Sequence, residues 1–313
     1  MPKDVLVSVV IRTTGTLNKL KLLRKTLESL SRQTWKDFEL IIATESNADI
    51  IKNLVESLGV NATVISTGFW NRCKTANLGI RASKGKYVVI LDDDLYLDKE
   101  FLRTLLKTIE IAPARVGHVT CPFKYLKKTE YKGLSCILAK LFGALNVKNF
   151  LLKRSRPINA MLVEGIYFGG TKALFKREAL FKAGLFDESM SEIMLGEDFD
   201  LAVRVYKCGF TGLLNNSCRV YHLETYYYKH GNLKLREYES YCSMGTYAVV
   251  KHRDIIGIYV FFHLVYLMIW GLVWALRRKS IRIFLYCARG IVGGIIKGLQ
   301  VKLTHDRELP KFD

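Results

Sequence analysis

Along the first half of the chain, short apolar runs alternate with stretches whose apolar residues recur every three or four positions. Val5–Ile11, Phe38–Ala43, Thr63–Ser66 and Tyr87–Leu91 are continuous enough to be buried strands. Between the first two, Leu20, Leu23, Leu27 and Leu30 form one stripe of a helix expected over Leu17–Ser31. Ala48–Leu58 and Lys74–Ala82 read as two more helices, the second closed by Lys84-Gly85. Strands spaced by helices imply a parallel α/β sheet, because a parallel pair needs a crossover long enough to hold a helix. In such sheets ligands bind at the carboxyl ends of the strands.

The second half is less regular. Val163–Phe175 carries Gly165, Gly169 and Gly170 and reads as turn and strand. Glu178–Ala183 and Leu195–Lys207 look helical, and Val220–His222 ends a short strand. Leu134–Leu152 is apolar but broken by Lys140, Gly143 and Lys148. Ile255–Leu276 holds no Lys, Arg, Asp or Glu and is closed by Arg277-Arg278-Lys279. About 20 apolar residues cross the roughly 30 Å bilayer core, so this segment is long enough to span; a buried helix of a soluble core is the alternative. Ile281–Val301 is apolar again but contains Arg282, Arg289 and Lys297, as would a second span facing a polar interior or an interfacial helix. Tyr226–Arg253 mixes aromatic and basic residues, which suits a membrane interface. Met1-Pro2-Lys3-Asp4 leads straight into the first strand, without the pattern of a signal peptide.

Charge narrows the partners. The 313 residues include 48 Lys and Arg against 29 Asp and Glu, a formal net charge of +19. That balance points to an anionic partner: nucleic acid, an acidic lipid surface or a phosphorylated substrate. Nucleic acid is set aside, since no recognition motif interleaves the basic residues and a long apolar segment is present. The seven cysteines form no CxxC pair and no zinc spacing, and are expected to be reduced thiols.

Two acidic clusters carry the candidate chemistry. Asp92-Asp93-Asp94 follows the apolar strand directly. If strand alternation continued, Asp92 and Asp94 would share a face and Asp93 would turn aside. Two hard oxygen donors at a strand end suit Mg2+ or Mn2+, which also take substrate phosphates as ligands. A solvated acidic turn is the alternative. Gly196-Glu197-Asp198-Phe199-Asp200 opens a helix, where carboxylates can answer the macrodipole or serve as a general base. His222 can join the metal or a phosphate oxygen. Arg72, Lys74 and Asn77 precede the first cluster and can neutralise a diphosphate or brace the aspartates.

These segments resemble the inverting family 2 glycosyltransferases, which have a GT-A fold. The resemblance is carried by Val7–Thr13, Gln33–Ile42, Asn77–Ile80, Gly85-Lys86-Tyr87 with Leu91–Asp94, Gly169–Thr171 to Glu178, Gly184–Glu188, and Gly196–Leu201. It covers roughly residues 5 to 222, and these segments group into five modest motifs in the right order, with Asn77–Asp94 taken as one and Gly169–Glu188 as one. It implies an α/β fold: a Rossmann-like, mainly parallel central sheet with flanking helices, plus C-terminal transmembrane or interfacial helices. By the same resemblance Asp198 is the catalytic base, with Glu197 beside it. Asp92, Asp94 and His222 hold Mn2+ or Mg2+. Thr13, Glu45, Asp49, Lys74, Asn77, Asp92 and Asp93 hold the nucleotide-sugar, and Gly169, Gly170 and Thr171 lie on the acceptor side. Two turns depart from the family: Arg12-Thr13-Thr14-Gly15 stands where Pro-Thr-Tyr-Asn is usual, and Glu45–Asp49 replaces an acidic-Gly-Ser-Thr-Asp turn. The processive Gln-x-x-Arg-Trp motif is missing, which argues against a long-polymer synthase.

The expected organisation is a catalytic domain over 1–224 with an apolar interfacial insertion near 131–155. An amphipathic segment (225–254) and a membrane domain with one or two spans (255–276, 281–301) follow. Expected partners are a GDP- or UDP-linked sugar, with GDP-mannose favoured, and a dolichyl- or polyprenyl-phosphate or lipid-linked sugar acceptor. A UDP-sugar transferase acting on a cell-envelope polysaccharide and a non-catalytic membrane scaffold are the alternatives. The expected location is the cell membrane, with the catalytic domain facing the cytoplasm, because nucleotide-sugars are cytosolic. Leu134–Leu152 cannot cross once, since that would separate Asp94 from Asp198.

Overall fold

Val7–Thr13 is a seven-residue strand, β1, buried at every position. Such a strand, apolar on both faces, belongs at the centre of a sheet covered on both sides. In the computed structural model, which describes residues 6–125, 156–167, 171–190, 196–223 and 233–301, β1 lies in the interior of a nine-stranded sheet, third in the strand order. It pairs in parallel with β2 (Phe38–Thr44) on one edge and β4 (Tyr87–Asp92) on the other, and β3 (Thr63–Ser66) extends the sheet beyond β2. The crossovers are α1 (Leu17–Ser31), α2 (Ala48–Ser57) and α3 (Arg72–Ala82), followed later by α4 (Phe101–Ile111). Alternation sorts the faces: Val9, Ile11, Val89 and Leu91 pack under α1, α2 and α4, whereas Val10, Val88 and Ile90 pack under α3. The register sets Arg12 beside Asp92 and Thr13 beside Thr44, so three strands end at one level.

Past β4 the sheet becomes mixed. The short β5 (Leu95–Leu97) leaves for a second sheet, and β6 (Val116–Thr120) returns to the first. β10 (Ala173–Lys176) inserts antiparallel between β4 and β6. Beyond β6 lie β11 (Thr211–Asn215), β9 (Leu162–Gly165) and β8 (Arg156–Pro157). In the small sheet, β12 (Val220–His222) lies between β5 and β7 (Phe123–Tyr125), with His222 opposite Leu95. β12 thereby brings His222 to the turn that holds the Asp cluster.

α5 (Arg177–Lys182) and α6 (Glu197–Lys207) complete the layer on the α3 face. The C-terminal part is helical: α7 (Leu235–Lys251), α8 (Arg253–Ile256), α9 (Tyr259–Arg277) and α10 (Ile281–Leu299). Gly257, at φ +58, separates α8 from α9, so the long apolar helix starts four residues later than its composition suggested. Among the described residues α9 is the one helix long and apolar enough to cross a membrane. Tyr247, Ala248 and Val249 of α7 and Ile255 and Ile256 of α8 join the same core as α6. The six described cysteines are unbridged. Leu134–Leu152, all of Tyr226–Asn232, Gly169 and Gly170 lie outside the described residues.

Candidate active site

Arg12 is the last residue but one of β1, and it organises the site. Its guanidinium is buried, donating from Nε to Asp92 Oδ1 at 2.7 Å and from Nη2 to Glu197 Oε1 at 3.2 Å. It also lies 5.3 Å from the ring centroid of Phe186. A single cation thus joins the end of β4 to the start of α6, two segments more than a hundred residues apart. A buried arginine fork suits this role because its planar donors reach two carboxylates at once.

The three aspartates do not continue the strand alternation. β4 stops at Asp92, and Asp93 and Asp94 form a turn. Asp92 faces Arg12. Asp93 and Asp94 instead share Lys19 of α1, whose Nζ lies 3.4 Å from Asp93 Oδ1 and 3.0 Å from Asp94 Oδ2. Thr13 Oγ1 donates to Asp93 Oδ2 at 2.5 Å. Burial, opposed by Lys19 and reinforced by the charge of Asp94, pushes the Asp93 carboxyl up to about 6. Asp94 keeps one oxygen, Oδ1, buried without a hydrogen bond, 3.6 Å from His222 Nε2.

Among the described residues no three His, Cys, Asp or Glu side chains gather as a metal centre. Asp94 and His222 nevertheless fit a cation that takes its other ligands from substrate phosphates and water. Mg2+ and Mn2+ are commonly held by one or two protein groups in this way. The orphaned Asp94 Oδ1 is the group such an ion would satisfy. A divalent cation bound there would supply charge to neutralise a diphosphate leaving group.

Gly196, at φ +98, turns the chain into α6, and a Cβ there would meet Ala248 of α7 at 2.8 Å. The N-cap, Gly196, has no side chain to cap the helix, and Glu197 and Asp198 stand in its first turn. Glu197 is taken by Arg12. Asp198 has a buried Oδ1 with no hydrogen-bond partner. Burial and the charge of Glu197 push its carboxyl up to about 7; Arg12 opposes them, Asp92 adds to them, and Lys172 also opposes. A carboxylate poised near neutrality with an open oxygen can accept a proton from an attacking hydroxyl. Asp200 points elsewhere. It binds Arg204 Nε at 2.8 Å, His252 Nε2 at 2.9 Å and Lys251 Nζ at 2.8 Å, tying α6 to the end of α7. Lys251 and Tyr247 also grip Asp187, at 2.7 and 2.8 Å.

The remaining candidates divide. Glu45, the residue after β2, is buried with Oε1 unpartnered; burial raises its pKa, against Arg72 and the Asn71 N–H. Asn77 donates to Phe186 O and to Glu188 Oε1, each at 3.0 Å, and accepts from Phe186 N, so it braces the loop beneath Arg12. Lys74 is exposed, its Nζ 5.2 Å from the Phe69 ring centroid. Asp49 is exposed on α2 and pairs with Lys52 at 3.1 Å. Thr171 is buried beside Lys172, which adopts φ +76. Reasoning from the sequence missed Arg12, Lys19, Lys172 and Asp200. The signal for Arg12 was present, as a charged residue closing an otherwise apolar run.

A mainly parallel α/β sheet with an acidic turn, a histidine and a buried carboxylate gathered at its strand ends has the architecture of the GT-A fold. The chain belongs to glycosyl transferase family 2, whose sequence profile, "Glycosyl transferase family 2", matches residues 8–181. It is similar to the chondroitin synthase of Escherichia coli, 25% identical over 244 residues, covering 69% of this chain and 34% of that protein. It is also similar to the GalNAc(5)-diNAcBac-PP-undecaprenol beta-1,3-glucosyltransferase of Campylobacter jejuni, 30% identical over 112 residues, covering 34% of each chain. The chain spans about a third of the length of these curated relatives. Among solved structures, the mannosyltransferase PcManGT from Pyrobaculum calidifontis, in complex with GDP-Man and Mn2+, superposes with a TM-score of 0.57 at 16% identity. That superposition covers 96% of this chain and 89% of the other.

Proposed function

We propose that the chain moves a hexose, with GDP-mannose the favoured donor, from a nucleotide-diphosphate sugar to a lipid-linked acceptor at a membrane surface. The observation that carries the single-site reading is Arg12 bridging Asp92 at 2.7 Å and Glu197 at 3.2 Å, which keeps the leaving-group side and the base side within one buried network. Asp94 and His222 face the diphosphate. Glu45 has a free buried oxygen suited to the N–H edge of guanine or uracil. Asp198 orients or deprotonates the acceptor, which attacks the anomeric carbon from the opposite face and inverts it in one displacement.

Support for the membrane comes from the apolar α9, the basic balance of the chain, and a relative whose substrate name contains an undecaprenyl diphosphate. The donor reading is supported by the GDP-mannose complex of the solved neighbour. Nucleotide-sugars are cytosolic, so the site faces the cytoplasm.

The acceptor is tested with Asp198→Asn and radiolabelled donor, by counting label extracted into butanol. A sugar-hydroxyl acceptor needs proton removal, and general-base loss then lowers transfer by about 100-fold or more. A polyprenyl-phosphate acceptor is already anionic and retains most activity. No extractable label from any GDP- or UDP-sugar, with any polyprenyl acceptor, would sink the lipid-acceptor reading.

A further inference from the structure

We propose that α7, α9 and α10 form a three-helix layer that lies side-on against an anionic bilayer leaflet, and that neither α9 nor α10 crosses it. This rests on the membrane reading above and sharpens it.

The packing makes the three helices one body. At the base, Tyr259 and Val260 of α9 and Val301 just past α10 pack on the core that holds α6. Farther out, Tyr241 of α7 stacks on Trp270 at 4.5 Å, and Tyr238 lies near both Trp270 and Trp274. α10 presses onto α7 along Gly290, Gly294 and Gly298. A Cβ at the first two would meet Glu239 O at 2.2 Å and Ser243 O at 2.5 Å, and one at the third would meet Val250 Cβ at 2.7 Å. α9 therefore cannot enter a bilayer unless α7 enters alongside it.

α7 is the wrong helix for hydrocarbon. It begins Leu235-Arg236-Glu237 and carries Glu239, which pairs with Arg289 of α10 at 3.1 Å; the Arg289 side chain is 79% exposed. That pair stands near the middle of α10, at the depth a spanning bundle would give the bilayer centre, where ionised groups are strongly disfavoured. The outer turn between α9 and α10 holds Arg277, Arg278, Lys279 and Arg282, so entry tip-first would carry four cations across the membrane.

Side-on contact resolves both conflicts. Phe261, Leu272 and Leu276 of α9, and Leu285, Val292, Ile296 and Leu299 of α10, are exposed apolar side chains. Arg282, Arg289 and Lys297 recur at seven- and eight-residue spacing along another stripe of α10. An apolar row flanked by a basic row is the pattern of a helix lying in the interface. The basic row commits the occupant: it complements anionic headgroups, whereas the same face of a second copy would oppose like charges.

The test is labelling of Lys279→Cys by a membrane-impermeant maleimide, with the full chain bound to the outside of sealed vesicles. The vesicles are phosphatidylcholine with about a third phosphatidylglycerol, where each interfacial cation adds measurably to binding. Lys52→Cys, on exposed α2, marks the catalytic side, and the unsubstituted chain gives the background of its own thiols. Side-on docking predicts that both positions label equally before detergent. Labelling of Lys279→Cys only after detergent, with Lys52→Cys labelled before, overturns side-on docking and leaves the membrane reading standing. A chain that fails to float with these vesicles overturns both. Arg278→Gln/Lys279→Gln/Arg282→Gln should weaken vesicle binding about 100-fold, since roughly one factor of five is lost per cation. A change of less than about threefold, with the melting temperature unchanged, would also overturn the proposal.

Discussion

Replacing Arg12 with Met removes one buried cation and strands two carboxylates. The Arg12 side chain is 1% exposed, and those of Asp92 and Glu197 are 16% and 6% exposed, so water replaces little of the lost interaction. Breaking a buried ion pair from one side costs about 3–5 kcal/mol. For a chain of this size that is a fall of roughly 6–20 °C in melting temperature, at about 2–4 °C per kcal/mol. Arg12→Met/Glu197→Gln removes one stranded charge and should recover at least about 1 kcal/mol, a coupling measurable in a double-mutant cycle. The kinetic consequence has a definite sign. Arg12 holds the Asp198 pKa down against burial, so its loss moves that pKa further above about 7. The acid limb of the pH–rate profile then shifts to higher pH. Urea and thermal melts, with the pH profile of transfer, measure all three effects. A stability loss below about 1 kcal/mol together with an unshifted acid limb would refute the bridging role, because a surface ion pair behaves that way.

Other consequences are simpler to check. Burial alone would raise the Asp187 pKa, but the hydrogen bonds from Lys251, Ser189 and Tyr247 hold it at about 2, below its ordinary 3.8. Its contribution to stability is therefore present above about pH 4 and lost as pH falls toward 2. Lys251→Met should raise the midpoint of acid unfolding followed by circular dichroism; an unmoved midpoint would count against that ion pair. Gly294→Val puts a Cβ 2.5 Å from Ser243 O and 2.7 Å from Thr246 Cβ, and should cost about 1–3 kcal/mol in a thermal melt. An unaltered melt would mean that α7 and α10 are not in close contact. The cognate nucleotide diphosphate with Mn2+, at about 100 times its Kd, should stabilise the chain by about 2.7 kcal/mol, and EDTA should abolish the shift. A shift that survives EDTA would remove the metal from nucleotide binding.

Much of the architecture was legible because it follows from periodicity. The parallel strands β1 to β4 and the helices α1, α2 and α3 appear where apolar runs and helical stripes predicted them. The antiparallel β10 was not legible, since its neighbours β4 and β6 are set by contacts more than fifty residues away. The site shows the same division. Asp94 and His222 come together as their residue types suggested. The partition of the aspartates did not follow strand alternation, because alternation ends where the strand ends, at Asp92. Nor does sequence order reveal that Arg12 would meet Glu197, which lies 185 positions away. Asp198 and Asp200 show the helix period at work: two positions apart, they point to different surroundings, one to the site and one to the Lys251–His252 anchor on α7.

The proposed function requires a metal-dependent site in which Asp94 faces the diphosphate. Transfer of sugar from the cognate nucleotide donor, measured for the native chain and Asp94→Ala across a Mn2+ titration, tests it most directly. Loss of a group that helps hold the charge-neutralising cation should lower turnover at least about 1000-fold at every Mn2+ concentration, with the fold intact by thermal melt. Full Mn2+-dependent turnover by Asp94→Ala would contradict the account.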